Sequence, residues 1–92
     1  MEIQFDGVIW KESNSFVAYC PELDVSSCGD SVDEARRMLK EAVTLFIEEA
    51  DRMGTLEQIL KEAGYKPKGA SKKGIWDAPR IVSTERMEIQ VR

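Results

Sequence analysis

An α+β fold of the order β-β-β-α-α-β is predicted by three observations: short apolar/polar alternation over the first thirty residues, one amphipathic helical stripe from 32 to 53, and renewed alternation over the last twelve residues. Ile3, Phe5, Gly7 and Ile9 alternate with Gln4, Asp6 and Val8 up to the turn-forming cluster Ser13-Asn14-Ser15, which predicts a first strand and a hairpin. Phe16–Cys20 is rich in β-formers and stops at Pro21. Val25–Cys28 follows, closed by Gly29, so a three-stranded antiparallel meander is expected. Gly7 marks a bulge or a place where another element packs closely.

The helix has a defined start. Ser31 with Glu34 forms a capping box, and Asp30 and Asp33 put negative charge at the positive end of the helix dipole. Val32, Ala35, Leu39, Ala42, Val43, Phe46, Ala50 and Met53 then recur at helical spacing, and Gly54 supplies a left-handed end. Met38, Leu45 and Ile47 lie partly off this stripe and are available to a second interface. Thr55 with Gln58 repeats the capping pattern, so Leu56, Ile59, Leu60 and Ala63 make a two-turn helix ended by Gly64. Residues 65–80 read as a flexible basic loop. Residues 81–92, with Met87, Ile89 and Val91 on one face, read as a fourth strand. If it pairs parallel beside the first, the result is a four-stranded mixed sheet of order 3-2-1-4 with its helices on one face. The whole chain, 1–92, is then one domain with a core in 1–64.

Composition restricts the chemistry. Ninety-two residues leave little core to spare for a deep substrate cavity. The chain contains no histidine, which excludes a Ser/His/Asp triad, a Cys/His dyad and an HExxH zinc site. The start MEIQFDG lacks the basic and apolar regions of a signal peptide, and no apolar run is long enough to span a membrane, so a cytoplasmic protein is expected. Residues 1–60 carry five basic groups against thirteen acidic ones, a net of −8, while residues 61–92 carry eight against four, a net of +4. An acidic body suggests a basic partner rather than nucleic acid.

The candidate sites are few. Asp6, Asp24, Asp30 and Glu34 invite comparison with a carboxylate cluster holding two Mg²⁺ ions for phosphoryl transfer. Capping or solvated roles account for them better, so no catalytic residue, metal or cofactor is expected. Cys20 and Cys28 end neighbouring strands, but free thiols are the expectation in a reducing compartment. Lys66, Lys68, Lys72 and Lys73, with Tyr65 and Trp76 as stacking partners, could contact phosphates. A solvated loop is the simpler account. Trp10 and Trp76 are expected to plug the structure.

From Phe5 to Ala50 the chain resembles the HicB family of bacterial and archaeal antitoxins. The likeness rests on Phe16-Val17-Ala18-Tyr19-Cys20-Pro21-Glu22-Leu23, then Cys28-Gly29-Asp30-Ser31, then Asp33-Glu34-Ala35 at the head of a long helix. Each element has a structural reason: Pro21 ends a strand, Gly29 permits a turn, Asp30 and Ser31 cap the helix, and Ala35 lets it approach the sheet. The resemblance implies a truncated ribonuclease-H-like fold and a non-enzymatic role, the neutralisation of a small basic HicA-type ribonuclease toxin. The alternatives are a stand-alone HicB-like homo-oligomer without a toxin and, more weakly, a Mg²⁺-dependent nuclease. Typical members carry a DNA-binding helix pair beyond this domain. No helix pair follows residue 64 here, so specific duplex binding is not expected. The partner surface is assigned to Glu48, Glu49 and Asp51 with Met38 and Leu45, and a homodimer using Met38, Leu45 or the C-terminal strand is expected.

Overall fold

The computed structural model describes residues 2–68 and 74–92. Its elements are β1 (Glu2–Ile3), β2 (Val8–Glu12), β3 (Ser15–Cys20), β4 (Val25–Gly29), α1 (Val32–Arg52), α2 (Leu56–Glu62), β5 (Lys66–Pro67) and β6 (Ile75–Asp77). The α+β class holds, with two helices and the strands in two three-stranded sheets, β2-β3-β4 and β1-β6-β5.

The meander forms as its sequence predicts. Glu12 pairs with Ser15 across a two-residue turn in which Ser13 takes φ +56°, a positive φ of the kind that two-residue hairpins use to match strand twist. Cys20 pairs with Val25 across Pro21–Asp24, and Asp24, also at φ +56°, accepts a hydrogen bond from the Tyr19 hydroxyl at 2.8 Å. Alternation along β3 sends Ala18 and Cys20 into the core and Tyr19 to the opposite face.

α1 covers the core face, packing mainly on β4 and β3 through Ala35, Leu39 and Val43. Ser31 is extended (φ −146°, ψ 166°), and its Oγ accepts the Glu34 N–H at 3.0 Å. The Glu34 carboxylate returns to accept the N–H of Asp30, the residue before the cap, at 2.6 Å, so the reciprocal half of the expected capping box falls on Asp30 and not on Ser31. A Cβ at Gly29 would lie 2.7 Å from the Ala35 nitrogen, and one at Gly7 would lie 3.3 Å from Leu39 Cδ2. Both glycines mark close approach of the helix. Gly54 follows α1 at φ +76°.

α2 is only seven residues long, and Leu56 and Leu60 bind it to the core. A helix this short has no stability of its own. Beyond it Tyr65 is buried and its hydroxyl donates to the Gln4 carbonyl at 2.6 Å, tying residue 65 to the chain start. There β1 pairs parallel with β6 (Glu2 with Ile75, Ile3 with Trp76), and β6 pairs antiparallel with β5.

Several expectations are corrected. The continuous first strand breaks into β1 and β2 because the Asp6 N–H is held by the Glu22 carboxylate, not by a ladder partner. The four-stranded order 3-2-1-4 gives way to two sheets. The parallel neighbour of the chain start is Ile75–Asp77, inside the segment read as a loop, not residues 81–92. Residues 81–92 form no strand: β6 holds the position beside β1, and Pro79, which lacks an N–H, follows at once. The capping box at Thr55 is absent because its backbone is helical (φ −110°, ψ 0°), and its hydroxyl reaches back toward the Ala50 carbonyl while Gln58 bonds Glu62. Trp10 is no plug. It is 42% exposed and meets Tyr19 edge-on at 6.4 Å, whereas Trp76 is buried.

Candidate partner-binding surface

An apolar concave feature runs along one flank of α1. At the C-terminal half of the helix a groove of about 390 Å³ has Ile3, Phe5, Val43, Ile47 and Leu56 as its apolar lining, with Lys40, Thr44, Glu48 and Asp51 also on it. It continues toward the helix start between Arg36, Leu39 and Lys40 on one side and residues 3–7 with Ile9 on the other. Ile3, Phe5 and Lys40 belong to both parts, so the two make one trough. The wall opposite α1 contains the broken stretch 4–7 and the start of β2, whose second edge has no strand partner among the described residues.

The five residues assigned to a partner surface fall in two places. At about 100° per residue, Met38, Leu45 and Glu49 share a narrow stripe, while Asp51 lies more than a quarter turn away. Leu45 is 61% exposed, Met38 is half-buried, and Glu49 is ion-paired with Arg52. Glu48 and Asp51 face the trough instead. The acidic groups on its rim are thus Glu48 and Asp51, with Asp6 at the other end.

Glu22 has a role that the sequence does not disclose. Its half-buried carboxylate accepts the Asp6 N–H at 3.3 Å and the Cys20 thiol at 3.4 Å, joining the β3–β4 turn to the stretch between β1 and β2. Burial pushes the Glu22 carboxyl above the usual carboxylate range and the Cys20 thiol up to about 11. Burial also raises Tyr65, reinforced by the Glu22 charge. The only hint in the sequence is that the carboxylate sits between Pro21 and Leu23, in a turn that holds it against the core.

A pH dependence follows. The folded state holds the Glu22 proton more tightly than the unfolded chain does, so stability is lost as pH rises upward from the ordinary carboxyl value of 4.5. Glu22→Gln removes this loss. The variant is expected to gain on the wild type as pH rises from about 4.5 in urea titrations. A difference that stays constant with pH would show that Glu22 titrates alike in both states.

The remaining candidates separate. Asp24 serves Tyr19, Asp30 and Glu34 serve the helix cap, and Asp6 sits beside Glu22. Among the described residues no group of three His, Cys, Asp or Glu side chains converges as a metal site. Tyr65 and Trp76 are buried, Trp76 as the expected plug, so neither presents an open stacking face. Lys66 and Lys68 are exposed, and Lys72 and Lys73 lie outside the described residues. Cys20 and Cys28 are free: Cys20 pairs with Val25 and Cys28 with Val17, three positions along the ladder and on opposite faces. That spacing of about 10 Å is too long for a disulfide. Cys28 is exposed and Cys20 is fully buried. At about pH 8 only about one Cys20 in a thousand would be thiolate. A thiol reagent is expected to titrate one cysteine in the native protein and the second only on unfolding. Two equally fast thiols would contradict this burial.

No helix among the described residues is long and apolar enough to cross a membrane. No family model, curated protein or solved structure matches the chain.

Proposed function

We propose that this chain is a HicB-like antitoxin-type binding protein, with a partial ribonuclease-H-like fold, that neutralises a small basic HicA-type mRNA-cleaving toxin in the cytoplasm by direct contact. The observation that carries the reading is the run Pro21-Glu22-Leu23, Gly29-Asp30-Ser31, Glu34-Ala35. These residues build one continuous device, the β3–β4 turn braced by Glu22 and the capped start of α1 seated on Gly29. The run that carries the resemblance therefore sets the scaffold that presents α1. The flank of α1 offers an apolar trough rimmed by Glu48 and Asp51, the combination that steers a cationic partner and then holds it. No reaction and no specific duplex binding is assigned to it. A stand-alone homo-oligomeric role without a toxin is the second reading, favoured by the exposed apolar tail.

The test is to look beside this gene for a small lysine-rich open reading frame with one histidine and to use its product. Wild type is expected to rescue growth on co-expression and to associate at a rate that falls steeply with salt. Glu48→Lys with Asp51→Lys, both on exposed sites, should fold and associate about tenfold or more slowly at low salt. Equal, salt-independent rates would refute acidic steering from this flank. Absence of any binding by the wild type would leave the stand-alone reading in possession.

A further inference from the structure

The residues after β6 pose a problem the single chain does not solve. Val82 is 93% exposed, Ile89 89%, and Met87 and Val91 79% each. Met87, Ile89 and Val91 share one side of an extended chain, the period-two pattern of a strand with one buried face. The radius of gyration, 15.4 Å, exceeds the roughly 12 Å of a compact chain of this length. A strand-patterned segment thus stands clear of the body. The body meanwhile has a β2 edge without a strand partner among the described residues, beside an apolar trough.

We propose that residues 86–92 of a second copy of this chain fill that trough as an extended segment that adds to the β2 edge where the trough meets it at Ile9, and that two copies exchange their tails reciprocally. The lengths agree. Arg86 to Arg92 spans about 20 Å as a strand, and α1 from Arg36 to Asp51, the wall of the trough, runs about 22 Å. The chemistry agrees as well. Met87, Ile89 and Val91 meet a floor of Phe5, Val43 and Ile47, and an arginine at one end of the tail meets Glu48 and Asp51, while Arg36 and Lys40 accompany Asp6 toward the other end. Strand addition also satisfies the free backbone groups of the β2 edge, otherwise a template for open-ended association. Reciprocity is favoured by where the tail leaves the body: Pro79, Arg80 and Ile81 share a cavity with Gln4, Phe5 and Asp6, next to the trough. Each tail therefore starts near the site it leaves open to the other copy, and twofold exchange closes the assembly instead of propagating a fibre. The tail would occupy the trough assigned above to the toxin, so the two occupants compete for it.

Sedimentation equilibrium of the full chain at micromolar concentration is expected to give twice the 10.4 kDa chain mass. Ile89→Asp, on an exposed residue, should keep the native circular dichroism and raise the dimer dissociation constant at least a hundredfold, because the symmetric exchange loses the contact twice. Ile89→Val should remain dimeric. In a Cys28→Ser background, chains carrying only Thr44→Cys are mixed with chains carrying only Ile89→Cys and treated with a short bismaleimide. A product joining the two different chains is expected. A monomeric wild type, a dimer that Ile89→Asp leaves intact, or linkage only when both cysteines are in one chain would overturn the proposal, the last by showing the tail on its own body.

Discussion

Valine at position 29 is expected to cost the protein most of its stability, about 3–5 kcal/mol. The Cβ alone would stand 2.7 Å from the Ala35 nitrogen, 2.8 Å from Glu34 Cγ and 2.9 Å from the Glu34 carbonyl carbon. Two of those atoms are backbone in the first turn of α1, so relief requires the helix start to move off β4. Overpacking a well-packed site costs about 1–3 kcal/mol, and more where only backbone can yield. Here the movement also disturbs the Ser31–Glu34 cap, worth about 1 kcal/mol. Gly29→Ala should fall in the lower range and Gly29→Val at the top. A domain of this size has about 5–10 kcal/mol in total. The urea midpoint should therefore drop by roughly 2 M or more at a denaturant slope of about 1–1.5 kcal/mol per M. An unchanged midpoint for the valine variant would show that α1 lifts from β4 without cost, and that the glycine in the Cys28–Ser31 run serves something other than packing.

The parts of the fold legible in the sequence were those decided locally. The hairpin turn at Ser13-Asn14, the stop at Pro21, the Ser31–Glu34 cap and the Gly54 end of α1 each depend on neighbouring residues, and each stands where the pattern puts it. Two of the failures have one cause, a partner distant in sequence. Asp6 alternates correctly for a strand, yet its N–H is taken by Glu22, sixteen residues on. Ile75–Asp77 is too short for a periodicity to register among lysines and glycines, and only the pairing with Glu2 and Ile3 makes it a strand. Thr55 and Gln58 have the composition of a capping box, but the turn from α1 leaves Thr55 in the helical region, where its hydroxyl cannot cap. Residues 81–92 invert the problem: the alternation is that of a strand, and a single copy offers it no ladder.

The surface was legible in kind but not in arrangement. Acidic residues on the outside of α1 follow from the helical stripe, and Glu48, Glu49 and Asp51 are all exposed. The sequence does not say which flank of α1 remains uncovered, because Met38, Leu45 and Ile47 widen the apolar face in both directions. The packing decides it: residues 3–9 lie along the Ile47 side, so Glu48 and Asp51 overlook the trough and Glu49 does not.

Truncating Leu60 to alanine is expected to cost about 3–4 kcal/mol, comparable to the glycine substitution but by an opposite route. Leu60 is completely buried, and removing most of a buried leucine side chain loses its transfer free energy and leaves a cavity that the surroundings only partly fill. Its position makes the loss propagate. α2 is held to the core by Leu56 and Leu60 alone among its fully buried residues, and its short length gives it no independent stability. The Leu60 carbonyl accepts the Tyr65 N–H at 2.9 Å, and Tyr65 in turn binds the Gln4 carbonyl, beside the point where β1 meets β6. Loosening α2 therefore loosens the second sheet before the meander. Native-state hydrogen exchange should show Leu60→Ala losing protection first at Gln4, Tyr65 and Lys68, with Ala18 and Cys20 in β3 holding longer. The Gly29 variants should lose it first at the start of α1, at Glu34 and Ala35. If Leu60→Ala lowers protection uniformly across β3 and the second sheet, the two sheets unfold as one cooperative unit, and the route from Leu60 through Tyr65 to the chain start is wrong.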